Sequence, residues 1–173
     1  MSEDTWQNQF KTIYDAALSR YSAGRQTPVS MFEVEEVAFL SSIGCTTQEL
    51  FDYVEDYIHS SDPSYQDVLE VTAIRRDFFI NQLGGKPATE IVQTHQLPAK
   101  SASVEGIRWL PRIIAKAKAK LQGQLSEDLM YGCGGDRPFL RSVNITLPEF
   151  LTKVRDSKSD QEVVDFVKNR SAR

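Results

Sequence analysis

Residues 39–56 read FLSSIGCTTQELFDYVED, and residues 139–156 read FLRSVNITLPEFLTKVRD. The two stretches agree at Phe39/Phe139, Leu40/Leu140, Ser42/Ser142, Thr46/Thr146, Glu49/Glu149, Val54/Val154 and Asp56/Asp156. Ordinary residue usage gives about one chance match over such a window, so this agreement points to an internal repeat. The match resumes after a change of length, where SYQDVLEV at Ser64–Val71 lines up with SDQEVVDF at Ser159–Phe166. Both copies carry the same local signals. An apolar helix end is followed by a residue suited to left-handed backbone, Gly44 or Asn144. A capping box then opens the next helix, Thr46 with Glu49 or Thr146 with Glu149. In such a box the hydroxyl accepts one orphan amide and the carboxylate reaches back to another. Each copy therefore predicts a capped helix-turn-helix corner.

Working outward, Trp6, Phe10, Ile13, Ala17 and Tyr21 recur at helical spacing and predict a helix over residues 5–22. Ser30 and Glu33 have the spacing of a capping box and predict a second helix from Ser30 to Ile43. Thr46 opens a helix to about His59, with Leu50, Phe51, Val54 and Ile58 inward and Asp52, Glu55, Asp56 and His59 outward. Ser64 caps a helix to about Gln82, with Val68, Val71, Ile74 and Phe78 inward. Pro111 suits the first turn of a helix whose face is Leu110, Ile113, Ile114, Ala117 and Leu121, closed by Gly123. No alternating apolar–polar run is long enough for a half-buried strand. The expected fold is all-α, with six to eight helices in two related units, residues 1–85 and 107–173. Residues 86–106 hold no sustained period and read as the linker, with Ile91, Val92 and Leu97 available to pack or a short helix within it.

A chain of 173 residues with 40% hydrophobic and 25% charged residues has ordinary globular composition. Net charge −4 and a pI near 5.3 argue against nucleic acid as the main partner, because phosphates demand a concentrated basic surface. Cys45 and Cys133 are too few and too far apart for a disulfide framework or a zinc site. The opening MSEDTWQNQF lacks the basic and apolar regions of a secretory signal, and no apolar run reaches membrane-spanning length. These features predict a cytoplasmic protein with no membrane partner.

Several segments carry a family likeness. Trp109–Ile114 (WLPRII), Lys116–Leu121 (KAKAKL), Tyr131-Gly132-Cys133, Phe139-Leu140, Glu149-Phe150-Leu151 and Ser159–Val163 (SDQEV) follow one another over about residues 105–170. In that order they resemble a bacterial family catalogued as a domain of unknown function, number 5069. The resemblance implies a bacterial source and an all-α C-terminal half, and it implies no activity. Members usually carry a proline after the cysteine, where this chain has Gly134-Gly135.

The candidate sites lie mostly outside the repeat. Gly132, Cys133, Gly134 and Gly135, with Arg137 close behind, form a loop whose amides can approach an anion and whose helix start favours a thiolate. It lacks the Gly-Lys-Ser/Thr ending of a phosphate loop, and Asp136 would repel an anion or cap the helix itself. A tight structural turn is the plainer reading. Cys45 sits opposite Ile145 in the repeat and reads as core. Arg112, Lys116, Lys118 and Lys120 can meet phosphates, but lysines and arginines beside an apolar face also cover it with their stems. Arg75 and Arg76 interrupt an apolar helix. Either they pair with the acidic helix over residues 47–59, or one of them reaches a cleft between the halves and holds a carboxylate. Asp52, Glu55, Asp56 and His59 lack the second Glu-x-x-His of a di-iron bundle and read as a solvated face. The helix-turn-helix likeness to DNA readers is opposed by Glu49, Asp52, Glu55 and Asp56 on the would-be recognition helix. No cofactor, metal or catalytic residue is expected. The chain reads as a helical protein that binds a protein partner or a small anionic ligand; the alternative is an enzyme or anion binder built on the Cys133 loop.

Overall fold

The computed structural model describes residues 3–171, so the first and last two residues, including the start of the N-terminal stretch read above, lie outside it. Its helices are α1 (Glu3–Ser22), α2 (Pro28–Met31), α3 (Val34–Ser42), α4 (Thr47–Ser60), α5 (Tyr65–Asn81), α6 (Leu110–Gln122), α7 (Asp136–Ser142), α8 (Leu147–Asp156) and α9 (Asp160–Ser171). The protein is mostly helical, as the periodicity predicts. The helix expected from Ser30 divides in two. Thr27 Oγ1, not Ser30, caps α2, and Glu33 caps α3 in a box with Glu36. Phe32 between them is extended, which the continuous apolar pattern conceals.

Both corners have the local build expected of them. Gly44 (φ +73°) and Asn144 (φ +54°) are left-handed. Thr46 accepts from Glu49 N, Thr146 accepts from Glu149 N, and both glutamates return to the threonine amide. Gly44 has a second constraint. A Cβ there would stand 2.6 Å from Phe79 Cγ, so the corner is closed by an aromatic ring from α5.

Residues 86–106 wrap the surface. Val92 N donates to Gln124 O, fastening the segment beside the end of α6. A 3-10 turn (Thr94–Gln96) follows, and Leu97 is buried. The segment runs into a small hairpin, β1 (Ser103–Val104) and β2 (Ile107–Arg108), with Val104 opposite Ile107. Glu105 (φ +49°) and Gly106 (φ +80°) form its turn. Two left-handed residues in succession match the twist of paired strands. Two-residue strands are too short to show an alternating pattern, which is why the sequence shows no strand here.

One hydrophobic cluster runs through the molecule, from Trp6, Phe10 and Tyr14 of α1 to Phe150, Leu151 and Val167 of α8 and α9. α5 packs on α6 and α8, and α1 on α4. Two buried hydroxyls stitch the elements together: Tyr53 of α4 donates to Tyr131 O, and Tyr131 donates to Leu147 O. On α5 the inward positions are Val68, Val71, Thr72, Arg75 and Phe79. Their spacing is helical, so the fold itself turns Arg75 inward. Ile74 and Phe78, expected inward, are only partly buried. No helix among the described residues is long and apolar enough to cross a membrane.

Candidate functional site

Three cations of α6 and one of α7 are buried, and each has partners. Lys116 is 3% exposed and binds Asp136 Oδ2 at 2.5 Å. Lys120 is 2% exposed and binds Glu49 Oε1 at 2.7 Å. Arg112 donates to Pro98 O, pinning the wrapped segment to α6. Arg137 donates to Asp56, Asp62 and Gly132 O. The expectation that Arg112, Lys116 and Lys120 cover an apolar face from outside is corrected: they are inside it. Lys118 alone of that set is exposed, where it pairs with Asp160. The carboxylates that draw the lysines inward come from distant positions, Glu49 and Asp136, so no local pattern announces them.

The loop before α7 is closed upon itself. Asp136 is fully buried and accepts from Trp109 Nε1, Lys116 Nζ, Gly132 N and Cys133 N. The amides of Gly132 and Cys133 thus already hold a carboxylate. Cys133 is partly exposed, and its Sγ accepts from Lys116 Nζ at 3.2 Å. Gly134 is exposed, and Gly135 packs against the Trp109 indole. Arg112 and Arg137 are committed to protein acceptors, as described above.

Arg75 is different. It is 3% exposed, and neither Nε nor Nη1 has a hydrogen-bond partner in the protein. The ion pair with α4 that sequence reasoning favours does not form, because Glu49 is already taken by Lys120. Phe79 supports the guanidinium from the same helix, with Cζ 5.0 Å from the ring centroid. Burial pulls the group below its ordinary pKa, and Glu49 and Cys45 act in the opposite direction. An arginine stays charged through such shifts. Arg76 lies elsewhere, over the ring of Trp6 at 5.1 Å; its Nε is also buried without a partner, but it lines neither of the hollows beside Arg75.

The Arg75 side chain lines a hollow of about 360 Å³ with Gly44, Cys45, Glu49, Phe79, Ile91 and Gly123. Its Nη2 lies against Gly123, where a Cβ would collide with it. Gly123 also lines a second hollow of about 670 Å³ with Gln48, Gln93, Ser126 and Asp128. The two share Thr46, Thr47, Glu49, Ile91, Gly123 and Leu125, so they form one cleft with the guanidinium at its inner end. Four parts of the chain build it: the α3–α4 corner, α5 with Arg75 and Phe79, the C-terminal end of α6 with the residues that follow it, and the wrapped segment. Cys45 contributes a neutral thiol, since burial pushes it up to about 12. Burial also acts to raise the Glu49 carboxyl, but Lys120 and the Thr46 amide hold it below its ordinary value. Glu49 is therefore ionised and neutralised, and Arg75 is left as the uncompensated charge of the inner hollow.

A larger groove of about 720 Å³ runs between α5, α8 and α9, lined by Ile74, Pro148, Lys153 and Phe166 among others. The described residues that line it include no buried side-chain nitrogen or oxygen without a partner. Of the arginines singled out from the sequence, then, Arg75 stands in a cleft, Arg137 is tied to the Cys133 loop through Gly132 O, and Arg112 holds the wrapped segment through Pro98 O. What the sequence misses is the role of Gly123: it reads as a helix stop, and it is also the space the guanidinium occupies.

Residues 94–173 match the sequence profile of a family described as Domain of unknown function (DUF5069). That stretch covers α6 to α9 and the Gly123 side of the cleft, while Arg75 and the α3–α4 corner precede it. No curated protein and no solved structure matches the chain.

Proposed function

We propose that this chain is a non-catalytic, cytoplasmic binding protein that holds a small anion in the Arg75 cleft. The observation that carries the reading is the state of Arg75: buried to 3% exposure with Nε and Nη1 unpartnered. A buried donor without an acceptor costs about 1–3 kcal/mol, and more when it is charged. Tyr14 and Arg76 also carry a buried atom without a partner, but of the three Arg75 alone lines this cleft, where a ligand would supply an acceptor. Binding is favoured over chemistry because a guanidinium holds a negative charge without exchanging a proton. Two unpaired cysteines support a reducing, cytoplasmic setting.

The Cys133 loop is the weaker reading. Its amides and its lysine are satisfied by Asp136, which leaves a ligand little to bind.

The test is thermal unfolding in carboxylate, phosphate and sulfate salts against chloride at equal ionic strength, for the natural chain and Arg75→Met. A ligand at one hundred times its Kd adds about 2.7 kcal/mol, a rise of several degrees. At least one anion should raise the natural Tm and leave the variant unmoved. If no anion distinguishes the two proteins, the reading is wrong.

A further inference from the structure

Resting on the anion-cleft reading, we infer that the ligand is a monocarboxylate with an apolar body, its charge on Arg75 and its body along the walls of the inner hollow. The charges decide the valence. Glu49 is matched by Lys120, so the inner hollow presents one unbalanced positive charge. The outer hollow is lined by Glu127 and Asp128, with Glu49 common to both. Asp128 is held below its ordinary carboxylate range by hydrogen bonds from Ser126 and Thr94, so it is ionised. A phosphate dianion or a polyphosphate would carry its second charge toward these carboxylates, and repulsion would offset what Arg75 contributes. A single carboxylate meets one guanidinium in a planar match.

The walls decide the rest of the molecule. Val37, Phe79, Pro87, Ile91 and Leu125 surround Arg75 in the inner hollow. Val37 and Ile91 are 40% and 46% exposed, so apolar surface stands open at the rim and a ligand body would cover it. At about 30 Å³ per water-sized group, the hollow of about 360 Å³ holds roughly a dozen non-hydrogen atoms. A medium-chain or aryl-substituted carboxylate fits that size. A formate or acetate would leave the walls uncovered.

The experiment is calorimetric titration of the full chain with octanoate, 4-phenylbutanoate, octanamide and inorganic phosphate. Octanoate or 4-phenylbutanoate should bind at one per chain, octanamide at least tenfold more weakly, and phosphate without heat. Ile91→Glu, at an exposed position where folding is insensitive to the change, should weaken the carboxylates by several-fold to tenfold. If phosphate binds through Arg75 and neither carboxylate does, the ligand class is overturned while the anion-cleft reading stands. If octanamide binds as well as octanoate, the guanidinium is not used and both fall. Silence from all four probes overturns the ligand class, and the anion-cleft reading then stands or falls by the salt comparison with Arg75→Met.

Discussion

Lys120 Nζ stands 2.7 Å from Glu49 Oε1, while Glu49 Oε2 accepts from Thr46 N at 2.9 Å. One carboxylate therefore closes the cap of α4 and ties α4 to α6. That double use also explains the cleft. Had Glu49 been free, it would have been the natural counter-charge for Arg75, whose charge it already stabilises at longer range.

Breaking this pair from the lysine side should be severe. Lys120→Met leaves the Glu49 carboxylate without its buried partner, and such changes destabilise by about 3–5 kcal/mol. Adding Glu49→Gln should recover part of the loss, since the amide oxygen still caps Thr46 without a charge. Urea denaturation of the two single variants and the double variant measures this, and additive losses would show that the pair is not coupled. The pair also has a pH signature. Glu49 is held below its unfolded value near 4.3, so its stabilisation is present above that pH. It fades as pH falls through the lower folded value. Glu49→Gln should therefore flatten the acid limb of stability below about pH 4.

Asp52 behaves in the opposite sense. Burial pushes its carboxyl up to about 6, with Glu55, Asp56 and Glu49 adding repulsion against the pull of Gln48. A raised carboxyl contributes stability below its unfolded value that is lost as pH rises through the folded one. Asp52→Asn should thus stabilise the protein at pH 7.5 and have little effect at pH 4. The gain should be on the order of 1 kcal/mol, because water screens this partly exposed carboxylate. Chemical denaturation at the two pH values checks it, and an equal effect at both would contradict the assignment.

Gly44 and Asn144 separate backbone preference from packing. Both are left-handed, and asparagine is the next-best residue for that conformation. Backbone preference alone predicts that Gly44→Asn is tolerated. The Phe79 ring, 2.6 Å from a Cβ at Gly44, predicts otherwise. Gly44→Asn should lose about 2 kcal/mol or more by forcing that ring aside. Asn144→Gly should change stability by no more than about 0.5 kcal/mol. Thermal unfolding of the two variants reads the difference directly.

The sequence was most legible where a signal is local. Capping threonines, left-handed residues and the apolar stripe of α1 are visible within a few neighbours, and they lie where they were expected. It was least legible where partners are remote. Lys120 meets Glu49 across 71 positions, and Arg137 meets Asp56 across 81. A lysine on a helix flank looks the same whether its carboxylate is folded against it or replaced by water. Arg75 was half legible: that it interrupts an apolar helix shows in the sequence, but the spacing pointed Ile74 and Phe78 inward instead, and its lack of a partner depends on Lys120 having claimed Glu49 first.

Arg75→Met turns this into a measurement that separates a ligand site from a structural arginine. The substitution removes a buried charge whose Nε and Nη1 have no acceptor, a gain of about 1–3 kcal/mol per donor. It also removes the contact with the Phe79 ring, a loss of about 0.5–2 kcal/mol, and the long-range attraction to Glu49. The flexible thioether fills much of the same volume. The balance favours the variant, so its Tm without ligand should rise by a few degrees, corresponding to about 1 kcal/mol. A residue that weakens the empty protein is retained for what it binds. If Arg75→Met instead lowers stability by several kcal/mol, the guanidinium is a structural element of the α5–α6 contact and its orphaned donors carry no ligand.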